Sequence, residues 1–123
     1  MMLNRYIVQG IVQDLAAGRN VAVIADESAR EQVRQVRALL AQHPDSPSLR
    51  LTLASGREEL EHRSHARAWF TTPGGADGKL RGKTWQVTVL LSDLWELDGT
   101  RRALLRELIH AGTASSLDAE QIL

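Results

Sequence analysis

GGADGKLRGKT, residues 74–84, decides how the rest of the chain is read. It ends in Gly82-Lys83-Thr84, the terminal signature of a Walker A loop. Such a loop works because backbone N–H groups after a buried strand cradle phosphate and the next helix adds its positive N-terminus. Here the glycine required five positions before Gly82 falls on Asp77, and the residues that follow, WQVTVL, are a β-rich run that supplies no helix N-terminus. Spacing and context both fail. Gly74, Gly75, Gly78 and Gly82 therefore read as turn glycines linking two strands.

On either side of this link the chain is apolar and β-rich: WQVTVLLSD gives a strand over 85–91 and ARAWFTT a strand over 66–72. Before them LRLTLA, 49–54, alternates as a strand does, with HPDSPS as the linker ahead of it and Ser55-Gly56 as its turn. REELEHRSH, between 57 and 65, is rich in helix formers and i,i+4 charge pairs and reads as a short exposed helix. Nearer the N-terminus, NVAVIA at 20–25 is apolar on both faces in the manner of a buried parallel strand. It is flanked by two amphipathic helices. Leu3, Ile7, Val8, Ile11, Val12 and Leu15 predict the first over 3–17, with Gly18 as its C-terminal cap. Val33, Val36, Leu39 and Leu40, behind a capping-box spacing of Ser28 and Glu31, predict the second over 29–43. Asp98-Gly99-Thr100 reads as a further helix start, with a stripe of Ala103, Leu104, Leu105, Leu108 and Ile109 and a stop at Gly112. SSLDAEQIL adds a last helical turn or two. The alternation predicts an α/β fold, a mostly parallel sheet of about four strands flanked by helices, in a single domain spanning 1–123.

Composition narrows the function classes. The length suits one domain. Fifteen basic and fifteen acidic residues cancel, so there is no bulk positive field to drive non-specific nucleic-acid binding, which leaves only a local contact open. The chain has no cysteine, which excludes disulfides, thiolate nucleophiles and Cys-ligated zinc and fits a reducing compartment. Asn4, Arg5, Gln9, Gln13 and Asp14 interrupt the N-terminal apolar residues, so neither a signal peptide nor a membrane span is expected there, and the cytoplasm is the expected location.

Several residue groups invite a functional reading. His62 and His65, with Glu58 and Glu61 four residues before each, would share a face if the segment were helical. A metal site needs a third convergent ligand, and Glu and His on a polar helix are ordinarily surface residues, so no metal and no other cofactor is expected. His43 and His110 lie near predicted helix C-termini, where an imidazole suits the dipole without further function. Trp69, Trp85 and Trp95 could stack on bases, but read first as core or interface residues. Arg30, Arg34 and Arg37 share one side of the second helix, within reach of Glu27 and Glu31.

In order, LAAGRNVAVIA, DESAREQVRQV, LRLTLASG and LRGKTWQVTVLLSD resemble the middle of a RecA-like ATPase core, in the manner of phage terminase large subunits and helicases, over residues 5–97. In that family a strand and its phosphate loop precede the helix matched here by 3–17, so the resemblance implies a RecA-like core without that loop. The family's later apolar strand ends in an Asp-Glu pair that holds magnesium and activates water. Here Ser92-Asp93 stand in its place, with Ser92 at the metal-bearing position. Where the family offers nucleic acid a polar loop, this chain has Asp26-Glu27-Ser28, whose carboxylates repel phosphate.

The resulting expectation is a non-catalytic binding protein, a degenerate RecA-like domain in phage biology that acts on a protein partner or as a homodimer. A sheet edge that the family's preceding strand would cover motivates the dimer, with Trp95 at its interface. The candidate binding residues are Asp26, Glu27, Ser28, Ser92, Asp93, Lys83, Arg101 and Arg102, and no catalytic residue is assigned. An alternative is a magnesium-dependent hydrolase or nuclease using Asp26, Glu27, Asp93 and Glu96 beyond the carboxyl ends of the strands. Another is a local nucleic-acid-binding module using Arg101, Arg102, Arg106, Lys79 and Lys83.

Overall fold

The computed structural model describes residues 3–54, 56–91, 99–113 and 120–122, and at 101, 113 and 120–122 only the backbone. The first helix, α1, runs Arg5–Ala16. The Asn4 side chain caps it by accepting from the N–H groups of Tyr6 and Ile7, each at 3.0 Å. Its far end closes as a Schellman motif: Gly18 N–H donates to Leu15 O at 3.0 Å and Arg19 N–H to Asp14 O at 2.9 Å. That turn needs the left-handed backbone of Gly18, φ 82°.

Strand β1, Val21–Ala25, follows with all five residues fully buried. Helix α2, Ala29–Leu40, starts where Ser28 Oγ accepts from Glu31 N–H at 3.2 Å, and it stops at Leu40 rather than 43. The chain then forms β2 (Leu49–Ala54), β3 (Arg57–His62), β4 (Arg67–Thr71), α3 (Ala76–Leu80), β5 (Val87–Leu91), α4 (Gly99–Thr113) and β6 (Glu120–Ile122).

The sheet corrects the sequence expectation. It is mixed rather than mostly parallel, and its six strands run in the order β2-β3-β4-β1-β5-β6 instead of being about four. β1 pairs in parallel with β4 and β5, but β2, β3 and β4 form an antiparallel meander. The cause is the segment 57–62, expected as an exposed helix. The chain reverses between Ala54 and Arg57, with Gly56 at φ 79°, and the returning segment pairs residue for residue with β2. Tertiary pairing overrides local helix propensity here, because Leu60 reaches the core at 1% exposure and Glu59 and Glu61 find Arg67 across the strands.

A further expectation changes at the C-terminal end. Residues 120–122 are a strand rather than a helical turn, and β6 pairs with the edge of β5 at Val87–Val89. The glycine-rich stretch is a crossover containing α3, and it carries the chain from β4 past β1 to β5.

Helices cover both faces. α1 and α2 pack on one side, against Val21, Val23, Ala68, Phe70, Val87 and Val89, with Leu49, Leu51 and Leu53 at the margin. On the other, α3 and α4 enclose Ala22, Ile24, Trp69, Trp85 and Leu90 with Leu80, Leu105 and Ile109. No residue of β2 or β3 belongs to this second cluster among the described residues. No described helix is long and apolar enough to cross a membrane.

Trp85 explains Gly112, which lies inside α4 and is not its stop. The indole is fully buried, its Nε1–H donates to Thr88 Oγ1 at 2.8 Å, and its backbone N–H donates to Gly112 O at 3.2 Å. A Cβ on Gly112 would stand 2.1 Å from Cη2 of that ring. Replacing glycine by alanine in a helix ordinarily stabilises by roughly 1 kcal/mol. Gly112→Ala is expected to do the opposite, destabilising by about 1–3 kcal/mol through overpacking. Urea denaturation followed by tryptophan fluorescence checks this, and a variant at least as stable as the wild type contradicts the packing of Trp85 on α4.

Candidate functional site

The antiparallel hairpin places charged side chains outside the apolar cluster that α3 and α4 enclose. Cross-strand register aligns Arg50 with Glu61 and Glu61 with Arg67, and beside that row Thr52 with Glu59 and Glu59 with Trp69. At the α3 end of this face lies a cleft of about 190 Å³ whose lining includes Arg57, Glu59, Arg67, Trp69, Lys79 and Lys83. Three of its cations are matched to carboxylates. Arg57 contacts Glu59 at 3.0 Å, Arg67 contacts Glu61 at 3.2 Å and Glu59 at 3.9 Å, and Lys79 Nζ lies 2.5 Å from a carboxylate oxygen of Glu58. Lys83 differs. It makes no carboxylate ion pair among the described residues, and its ammonium donates to Lys79 O at 2.9 Å and stands 5.7 Å from the centre of the Trp69 ring.

The Glu58–Lys79 pair is the most shielded ion pair of the group, with both side chains only 12% exposed. Burial by itself would raise the carboxyl pKa of Glu58. The hydrogen bond from Lys79, the backbone N–H groups of Glu58 and Gly56 and the Lys79 charge outweigh it, so the group lies below its ordinary value of 4.5.

A second polar region lies at the carboxyl ends of β1 and β4, next to one another in the sheet, whose following helices pack on opposite faces. Asp26, Glu27 and Ser28 leave β1 here, Ser28 serving as the cap of α2. Gln32, fully buried, ties the two strand ends together by donating from Nε2 to Glu27 O and Thr71 O, both at 2.8 Å. Both donations come from the amide nitrogen, which fixes the orientation of the amide and leaves Oε1 as a buried acceptor with no partner among the described residues.

Of the residues singled out from sequence, Asp26, Glu27 and Ser28 are together at this strand end, whereas Lys83 is in the hairpin cleft. Ser92, Asp93, Trp95 and Glu96 lie outside the described residues, as does the side chain of Arg101. Arg102 and Arg106 are on α4, apart from Lys79 and Lys83 in the cleft. The proposed helical face of Glu58, Glu61, His62 and His65 does not form. Three of the four are on strand β3, and His65 is in the turn after it at φ 74°. Among the described residues no group of three or more His, Asp or Glu side chains is placed to hold a metal ion. Trp69 and Trp85 are core residues, 9% and 0% exposed.

Arg50, Arg57, Arg67 and Glu59 were not singled out as site residues. The signal that could have found them is Ser55-Gly56 between two runs of equal length, which returns the chain antiparallel and brings 50, 61 and 67 into one row. No family model, no curated protein and no solved structure matches the chain.

Because the folded pKa of Glu58 is depressed, its contribution to stability is complete above the unfolded value near 4.5 and is lost as pH falls through the lower folded value. Glu58→Gln is therefore expected to melt lower at neutral pH and to lose less on acidification below that value. Removing one partner of so shielded a pair costs about 1–3 kcal/mol at neutral pH. Thermal melts of wild type and variant across the acidic range measure both effects, and parallel pH profiles would contradict the pairing.

Proposed function

We propose that the chain is a non-catalytic α/β binding domain, similar to a RecA-like core without its phosphate loop, which acts by joining its sheet to a protein partner, in the first instance a second copy of itself. The observation that carries this reading is the outer edge of β2. The strand ends the sheet, its six residues LRLTLA are all partly or fully exposed, and it carries one charge and no proline to discourage pairing. Its outward N–H and C=O groups are a template for another strand. A two-fold axis beside β2 would join two sheets in antiparallel register, with the same patch meeting itself.

Two further features support binding rather than turnover. Gly82-Lys83-Thr84 lead toward strand β5 and not into a helix, so the geometry by which a Walker A loop cradles phosphate is not built. The hairpin face also presents alternating charges in register, a pattern that sets orientation between partners. The cysteine-free composition suits a cytoplasmic setting, and the ATPase-core resemblance suits an accessory role in phage biology.

The absence of cysteine makes a clean test. Light scattering at tens of micromolar is expected to give a dimeric mass. Single cysteines in place of Arg50, Thr52 or Ala54 are expected to yield a disulfide-linked dimer at one position at least, while Arg34→Cys on α2 does not crosslink. A strictly monomeric wild-type mass would refute self-association.

A further inference from the structure

The cleft beside the hairpin holds one more cation than carboxylate when its immediate partners are included. Arg57, Arg67, Lys79 and Lys83 face Glu58, Glu59 and Glu61, and the excess charge is localised on Lys83. Its side chain is half-buried, and a cation withdrawn from water without a counter-ion is unfavourable. One ordinary structural role is visible: the ammonium satisfies the Lys79 carbonyl at the end of α3, and the side chain lies over Trp69. That role uses one N–H and a long cation–π contact, and no carboxylate among the described residues balances the charge.

We infer that this cleft is a binding site for a single oxyanion, a carboxylate or phosphate-ester group carried by a ligand, with Lys83 as its principal cation. Its volume of about 190 Å³ suits one such group. The flanking guanidinium side chains of Arg57 and Arg67, 69% and 45% exposed, can turn toward an arriving anion without being drawn from the core. Trp69, at 9% exposure with Lys83 over its ring, offers no open face for a nucleobase, so the site reads the anionic group alone. The inference goes beyond the self-association proposed above and does not need it, since one is read from molecular mass and the other from local shifts.

The test is an NMR titration of the full chain with sodium acetate, and separately with sodium dimethyl phosphate, at constant ionic strength set by sodium chloride. Saturable shifts are expected at the Trp69 indole N–H and at the amides of Gly56, Arg57 and residues 79–83. Preference for acetate identifies a carboxylate ligand, and preference for dimethyl phosphate a phosphate ester. Lys83→Met keeps an unbranched side chain of similar length and removes the charge, and is expected to weaken binding at least about tenfold with the fold intact. Lys83→Arg is expected to restore it. Should the methionine variant fold poorly, Lys83→Gln gives the same reading. Shifts no larger than those from chloride, or equal shifts in the uncharged variants, would overturn the site.

Discussion

The burial of β1 on both faces is the constraint from which the rest of the structure follows. Val21, Val23 and Ala25 enter one apolar cluster while Ala22 and Ile24 enter the other, so the strand has no wet side. Its amide groups can be satisfied only through its two edges, which β4 and β5 supply in parallel register from Val21 onward. Asn20, just before the strand, helps fix that register. Its backbone N–H donates to Gln86 Oε1 at 2.7 Å, its carbonyl accepts from the N–H groups of Gln86 and Val87, and its Oδ1 accepts from Arg67 N–H at 3.0 Å. One polar residue, through its backbone and its side chain, thus aligns the starts of three strands. At the opposite end Gln32 joins the exits of β1 and β4, so the central pair is pinned at both ends by amide groups.

The helices divide unequally over this frame, and that inequality creates the site. α1 and α2 extend over the hairpin, where Leu60 and the half-buried leucines of β2 meet them, but the apolar cluster under α3 and α4 includes no residue of β2 or β3 among the described residues. The remaining sheet face carries charged rather than apolar side chains, and none of its residues on β2 or β3 joins the α3–α4 cluster among the described residues. Arg67 pairs across strands with Glu59 and Glu61, and toward α3 Lys83 has no carboxylate partner among the described residues. The turn after β3 is fastened to the opposite layer, with Ser64 Oγ donating to Leu15 O at 2.6 Å, which helps anchor the hairpin to the body of the domain.

Much of this architecture was legible locally. The helical stripe of α1 and its Gly18 cap, the Ser28 cap of α2, and the apolar runs of β1 and β5 each carry their signal within a few neighbouring residues. The candidate site was less legible. Lys83 drew notice through a phosphate-loop signature, yet its surroundings come from β3, β4 and α3, and only pairing in space assembles them. REELEH misled because its residues favour a helix in isolation, whereas a tight turn and a facing strand reward the extended form.

By itself the sequence determined an α/β chain with no cysteine chemistry, a central strand dry on both faces, and a glycine-rich link that lacks Walker A spacing, because composition, periodicity and motif spacing are properties of adjacent residues. Only the tertiary structure decided that the sheet is mixed, that β6 covers β5 while β2 ends the sheet, and that Gly112 is glycine for the sake of Trp85. Strand order, cross-strand pairing and close approach depend on residues far apart along the chain. Their free energies appear only once those segments are brought together, so no local pattern records them.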